Sequence, residues 1–424
     1  MNRQSVVIFF TVFIYLLGFG MIIPILPLLS TQYGATPLQA GLLMSVFSLM
    51  QFAFSPMWGK ISDRIGRRPI LLICLVGEAC SYILLALSRN LEMLFVARIL
   101  TGFFGASIST ASAYVSDITA KENRSKGMAL IGAAFGLGFL LGPAIGGGLT
   151  LFAETLSTDV HFITGFSSYG VALLCVVTFI FAYFYLTESL TDANREAAKK
   201  LTAQKQNRLK ILLQYYHRPT VGLLIGIFGL STFAMASMEA TLVLFMKENF
   251  NWGIKEVSFG FAYIGLCIVF TQGYLVRKIL PLFGEAKILR VGLTMMFFGF
   301  LVLIFANSLP SLCASMTLLA FGSGFTNPSI LGSVSLLVAD DEQGVALGTT
   351  QSLSSLGRVL GPACGGLLFG YSIYGSLATR LPFLLSTFLL LISLILIALN
   401  FKKLPVAAQT TNNRPQVNTV KEKG

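Results

Sequence analysis

A chain of 424 residues with 55% hydrophobic and only 11% charged side chains cannot clothe a water-soluble surface, which takes about 25% charged residues. Its mean hydropathy of +0.77 points instead to a surface solvated largely by lipid. The net charge of +12 invites a nucleic-acid reading, which the positions of the basic residues exclude.

The apolar pattern divides the chain into twelve runs of the roughly 20 residues that cross a bilayer core of about 30 Å. In chain order they are predicted at Val6–Leu29, Gln39–Trp58, Pro69–Ser88, Glu92–Val115, Gly127–Thr150 and Phe166–Leu186, then Val221–Phe245, Val257–Val276, Ala286–Ala306, Leu312–Val338, Ala346–Gly370 and Leu381–Asn400. A barrel would show alternating segments of about ten residues. These runs are long and nearly unbroken, so lipid requires them to be helices that satisfy their own backbone groups. The expected organisation is an all-α membrane protein with two six-helix halves, residues 1–187 and 221–401. A polar linker, 188–220, joins them, and a polar tail, 402–424, follows.

With both termini on one side, 24 of the 30 Lys and Arg residues fall on or near that side. Four lie opposite (Arg89, Lys247, Lys255, Arg380) and two lie deep in spans (Arg98, Arg358). This is the positive-inside asymmetry that orients membrane proteins, so the basic excess is topological and no nucleic-acid partner is expected. The first apolar run is long enough to span and ends in no small-residue cleavage site, so no cleaved leader is expected. The six cysteines, none in a CxxC pair, fall in or beside spans and are expected as free thiols with no metal site.

Two helices carry matching marks. Gly138, Gly142, Pro143, Gly146 and Gly147 in the fifth span recur as Gly357, Gly361, Pro362, Gly365 and Gly366 in the eleventh, a constant 219 residues on. Glycine near every fourth position lets helix backbones approach closely, and proline loosens the helix locally. After the second span comes Gly59-Lys60-Ile61-Ser62-Asp63-Arg64-Ile65-Gly66-Arg67-Arg68-Pro69. This segment matches without a mismatch the signature loop of the major facilitator transporters, Gly-x-x-x-Asp-Arg/Lys-x-Gly-Arg-Arg/Lys. Three further segments resemble motifs of their drug/proton antiporter branch with twelve helices: Gly18–Pro27 in the first span, Arg98–Gly102 in the fourth and Gly138–Gly147 in the fifth. Leu49-Met50-Gln51 and Phe250-Asn251-Trp252 resemble the tetracycline-resistance branch.

The resemblance implies the major facilitator fold, two pseudo-symmetric halves about an axis normal to the membrane. It also implies a conformational latch built from Gly59, Asp63, Arg64, Gly66, Arg67 and Asp117. Asp63 would meet the positive N-terminal end of the eleventh span near Ala346, and Arg67 would pair with Asp117. The second-half counterpart, read at Gln272–Arg277, is degenerate. The tetracycline pumps carry membrane aspartates where this chain has Tyr15, Ser81 and Met296, so tetracycline itself is a doubtful substrate.

An ionisable side chain inside a bilayer costs roughly 3 kcal/mol on insertion scales and needs a reason. Glu78, Arg98, Glu239 and Arg358 are the candidates here. Glu78 lies one turn before Ser81 on the same helix face. A proton-coupled carrier needs a carboxylate that holds a proton when buried and releases it when exposed or paired. Glu78 and Glu239 are predicted in that role, with Arg98 tuning a carboxylate in the first half. A structural Glu78–Arg98 ion pair is the competing assignment. Arg358 either braces helix packing or faces the cavity. The two histidines, His161 and His217, are predicted in loops, which argues against a histidine relay. Tyr15, Phe19, Gln51, Tyr263 and Gln272 are predicted to line a substrate cavity with few charges, suited to lipophilic compounds.

The expected function is therefore proton-coupled antiport exporting drugs or lipophilic small molecules across a bacterial inner membrane, both termini cytoplasmic. Export of an endogenous metabolite or siderophore is the alternative, and uptake by symport is disfavoured by the fifth-span motif. No GxxxxGK[ST] loop and no metal-ligand cluster is present, so neither an enzyme nor a cofactor is expected. The expected partners are a small-molecule substrate, protons and the bilayer, with a monomer as the working unit.

Overall fold

The computed structural model describes residues 3–119, 124–190, 218–338, 342–371 and 378–400. Among them the chain is helical and contains no strand. The first half comprises α1 (Arg3–Ile22), α2 (Ile25–Gln32), α3 (Pro37–Ile65), α4 (Arg67–Ala86), α5 (Leu91–Gly105), α6 (Ile108–Ile118), α7 (Arg124–Leu156) and α8 (Val160–Tyr185). The second comprises α9 (Pro219–Phe250), α10 (Ile254–Phe270), a π-turn (Thr271–Leu275), α11 (Val276–Phe283), α12 (Glu285–Ile304), α13 (Leu309–Leu337), α14 (Gln343–Gly370) and α15 (Leu381–Asn400). Among the described residues nine helical segments are long and apolar enough to cross a membrane, and the bent pair α1–α2 makes a tenth. The fifth and eleventh segments, α7 and α14, complete the two sets of six. α14 is less apolar because Thr349, Thr350, Gln351 and Ser352 follow one another in its second turn and beyond.

Three predicted spans are interrupted or longer for local reasons. The first bends by 44° between α1 and α2, where Pro24 lacks an N–H and cannot continue the ladder. The fourth breaks between α5 and α6 just after Gly105. The eighth runs on through the π-turn to Phe283. α3 starts two residues earlier than predicted because Thr36 forms a capping box: Gln39 N–H donates to Thr36 Oγ1 at 3.3 Å, and Thr36 N–H to Gln39 Oε1 at 2.8 Å. The sixth span also begins early, which puts His161 in the first turn of α8, not in a loop. Asp159 holds that turn by accepting the His161 N–H at 3.0 Å. His217, most of the linker and the tail lie outside the described residues.

The glycine repeat sets the packing inside each half. A Cβ at Gly142 on α7 would stand 2.8 Å from Gly20 Cα on α1, and one at Gly361 on α14 would stand 2.6 Å from Phe233 O on α9. Both pairs of helices therefore meet backbone to backbone. Between the halves, α14 packs on α3 and α10 on α7. Among the described residues, close contacts between the halves lie at the end away from the termini: Gly41 and Pro362, Gly366 and Pro37, Gly147 and Ser258. Lys247 Nζ donates to Thr31 Oγ1 at 3.1 Å in the same region. At this end the two halves touch closely.

Candidate functional site

The middle of the first half brings α1, α3, α4 and α5 around a small polar cluster. Glu78 sits about 16 Å along α4 from its start at Arg67 and is 2% exposed. A cavity of about 10 Å³, enough for about one water, touches Glu78, Tyr15, Thr11 and Ser107. Val12, Leu71, Leu75, Ile108 and Ala111 complete its lining, so Glu78 faces a small, mainly apolar void with a few hydroxyl groups. Ser107 belongs to the break between α5 and α6, which supplies the void's third wall.

Tyr15 is fixed from two sides. Gln51 Nε2 donates to its hydroxyl and lies 3.4 Å from Gly105 O. A Cβ at Gly105 would stand 2.8 Å from the Tyr15 ring, so glycine is what admits the ring at the helix break. Phe19 stacks on Phe47 at 5.0 Å between centroids. Phe47 in turn lies 4.3 Å beneath the Arg98 guanidinium, a cation–π contact worth about 2 kcal/mol when desolvated.

Arg98 is 2% exposed. Its Nε–H reaches Leu43 O at 3.4 Å, and its Nη1 has no hydrogen-bond partner. No ion pair joins Glu78 to Arg98, so the structural pairing considered from sequence is not formed among the described residues. Glu239, half-buried on α9, is electrostatically coupled to Arg358 on α14. Tyr15 feels the charges of Glu78, Arg98 and Arg358 together, so charged groups from both halves converge on one region.

The other cavity candidates sit elsewhere. Tyr263 on α10 is 38% exposed, and its hydroxyl shares a 2.7 Å hydrogen bond with Thr317 on α13. Gln272 lies in the π-turn. Neither has a recorded bond to the first-half cluster, so the structure gathers Tyr15, Phe19 and Gln51 without Tyr263 and Gln272.

The loop between α3 and α4 is ordered by charge. Gly66 has φ 126°, a conformation that favours glycine, and it turns α3 directly into α4. Arg67, 8% exposed, forms an ion pair with Asp63, donates from Nη1 to Ser62 Oγ at 2.7 Å, and places Nε 3.2 Å from Asp117 Oδ2 on α6. Among the described residues Asp63 thus pairs with Arg67 on its own loop and makes no ion pair or hydrogen bond across to α14. Gly59 and Arg64 lie in the last turns of α3.

Sequence reasoning missed Glu188. Its carboxylate accepts the N–H groups of Arg67 at 2.9 Å and Arg68 at 3.1 Å, capping the start of α4 from the first residues of the linker. Ser189 Oγ donates to Asp117 at 3.2 Å, and Tyr114 donates to Thr187 O at 2.9 Å. A cap that comes from 121 residues away leaves no local signal. The second-half counterpart of this loop is also displaced from its predicted place. Gly284, with φ 77°, joins α11 to α12 as Gly66 joins α3 to α4. The flanking sequence there is Pro281 to Glu285, where the first loop has Asp63 to Arg67. Near the same end, Arg218 and Glu342 form a two-pronged ion pair at 2.6 and 2.9 Å. Hydrogen bonding to Arg218 holds the Glu342 carboxyl below its usual range.

The sequence profile of the Major Facilitator Superfamily matches residues 8–285 and 273–423. The class B tetracycline resistance protein of Escherichia coli is 31% identical over 377 residues, covering 88% of this chain and 90% of its own. The quinolone resistance protein NorA of Staphylococcus aureus is 27% identical over 374 residues, covering 88% and 92%. The crystal structure of the human organic anion transporter MFSD10 superposes with a TM-score of 0.68 at 25% identity, covering 93% of this chain and 99% of that one. By profile, sequence and fold, this multi-pass membrane protein belongs to the major facilitator superfamily of transporters.

Proposed function

We propose that the protein is a proton-driven exporter of drugs or other lipophilic small molecules, seated in a bacterial cytoplasmic membrane with both termini inside. The observation that carries this reading is the Glu78 carboxyl. It is buried at mid-helix without an ion-pair partner among the described residues, beside a water-sized void that also touches Tyr15, Thr11 and Ser107. A buried carboxyl without a countercharge is a group that works by binding and losing a proton. Glu239, coupled to Arg358, serves as the second proton site in the other half. Arg98 tunes the first from its seat on Phe47, and Arg358 the second. Tyr15, Phe19 and Gln51 form the first-half wall of the substrate site.

Alternating access then works through the two ends. The far end is closed by Gly41 against Pro362 and Gly366 against Pro37. When the far end opens, Asp63 leaves Arg67 for the N-terminal end of α14 and the latch closes the cytoplasmic side. The glycines Gly138, Gly142, Gly146 and Gly147, with Pro143, keep the first half rigid as it rocks, and Gly361 and Pro362 do so for the second. Clustering of Lys60, Arg64, Arg67, Arg68, Arg277, Lys278, Lys287 and Arg290 at the termini end supports a cytoplasmic placement of that end.

A second reading, export of an anionic metabolite, draws support from one feature, the buried Arg98 with its unpartnered Nη1. The human relative MFSD10, an organic anion transporter, points the same way. The test uses everted vesicles holding an inside-acid pH gradient, read by a pH-sensitive dye during addition of lipophilic cations, tetracyclines and organic anions. Collapse of the gradient by cations or neutral drugs, lost in Glu78→Gln, supports the first reading. Collapse by anions alone supports the second, and no response to any compound contradicts both.

A further inference from the structure

A cavity of about 810 Å³ lies in the second half between α9, α14 and α15, well within the 300–1,000 Å³ of ligand pockets. Its lining is made only of Leu, Ile, Phe, Gly and Pro, and no first-half residue contributes. None of Tyr15, Glu78, Arg98 and Arg358 lines it. The gap has two causes. α15 packs chiefly on α9 and α12 and meets α14 lightly. The face of α9 toward the gap carries Gly222, Gly226 and Gly229, and a Cβ at Gly226 would meet no atom within 4 Å.

The chemistry of the lining selects the occupant. A polar group there would give up its hydrogen bonds, and apolar cavities do not hold water. The three helices cross the bilayer, so the solvent at hand is hydrocarbon. Along α9 the lining runs from Pro219 to Phe233, about 21 Å of helix. It starts at the termini end, and the hydrocarbon of one leaflet is about 15 Å deep. At the N-terminus of α9 the lining ends beside the Arg218–Glu342 ion pair, whose charges cancel.

We propose that this groove is a lipid site: one acyl chain from the leaflet at the termini end lies between α9, α14 and α15. The lipid fills the space that Gly226 leaves open and wedges α15 against the pair α9–α14, independently of what the central site transports.

The test places the full-length protein in nanodiscs of phospholipid carrying a photoactivatable diazirine at mid-chain, and maps labelled peptides after irradiation. The groove residues of α9 and α15 should be labelled well above Leu173 on α8, a fully lipid-facing position (64% exposed). Gly226→Trp fills the groove and should cut labelling there by about tenfold, the factor set by 1.4 kcal/mol. Leu173→Trp should leave it unchanged. Gly226→Leu repeats the experiment if the larger side chain prevents folding, judged by elution volume and thermal midpoint. Labelling no higher than at Leu173, or unchanged in both Gly226 variants, overturns the proposal. So does displacement of the label by a transported compound, or a cross-link to a second copy of the chain in its place.

Discussion

Glu78 and Arg67 show how differently two charged side chains can be held in one helix. Arg67, at the start of α4, is satisfied by Asp63, Asp117 and Ser62. Replacing it with alanine leaves Asp63 without its ion pair and Asp117 with Ser189 as donor, at about 2–3 kcal/mol, and the thermal midpoint in detergent should fall. Lysine should recover only part of that loss, because it cannot present a planar fork to several acceptors. Glu78, about three turns further on, has no such partners. Glu78→Gln keeps the shape of the buried side chain, so the thermal midpoint should hold. Proton-coupled exchange in everted vesicles should fall by about two orders of magnitude, the scale of losing a proton-transfer group. A Gln variant that exchanges at the wild-type rate would remove Glu78 from the proton path.

At the scale of helices, glycine positions with the same spacing carry opposite expectations. Gly142→Ala drives a methyl into the Gly20 backbone and Gly361→Ala drives one into Phe233 O, so each should lower stability by about 1–3 kcal/mol. Gly226→Ala meets open space and should raise helix stability by up to about 1 kcal/mol. Thermal unfolding of the three variants separates packing glycines from groove glycines. The Arg218–Glu342 pair ties the start of α9 to the start of α14. Because the folded carboxyl is held below its usual range, the pair stabilises the protein above the unfolded Glu value of about 4.3 and is lost as pH falls through the lower folded value. The acid limb of a stability–pH curve should therefore flatten in Glu342→Gln.

Over the whole molecule, what the sequence made legible were features with a long or repeated signature. The apolar runs marked the helices, the 219-residue register of Gly138–Gly147 with Gly357–Gly366 marked the two halves, and the loop from Gly59 to Pro69 marked the family. What it hid depends on neighbours distant in sequence. Glu188 reaches the start of α4 from across the half, Phe47 becomes a seat for Arg98 only once α3 and α5 pack, and the tilt at Pro24 read as an unbroken span. His161 was misplaced because its cap, Asp159, resembles loop sequence. Gly284 escaped as the second-half hinge because Pro281 and Glu285 have replaced the charges that flag Gly66.

If Glu78 carries the coupled proton, substrate binding must drive that proton off. The most direct measurement is proton release from the purified full-length protein in weakly buffered detergent when a transported compound is added. Stoichiometric release is expected from the wild type, reduced in Glu239→Gln and abolished in Glu78→Gln with compound binding retained. Undiminished release from the Glu78→Gln, Glu239→Gln double variant would contradict it.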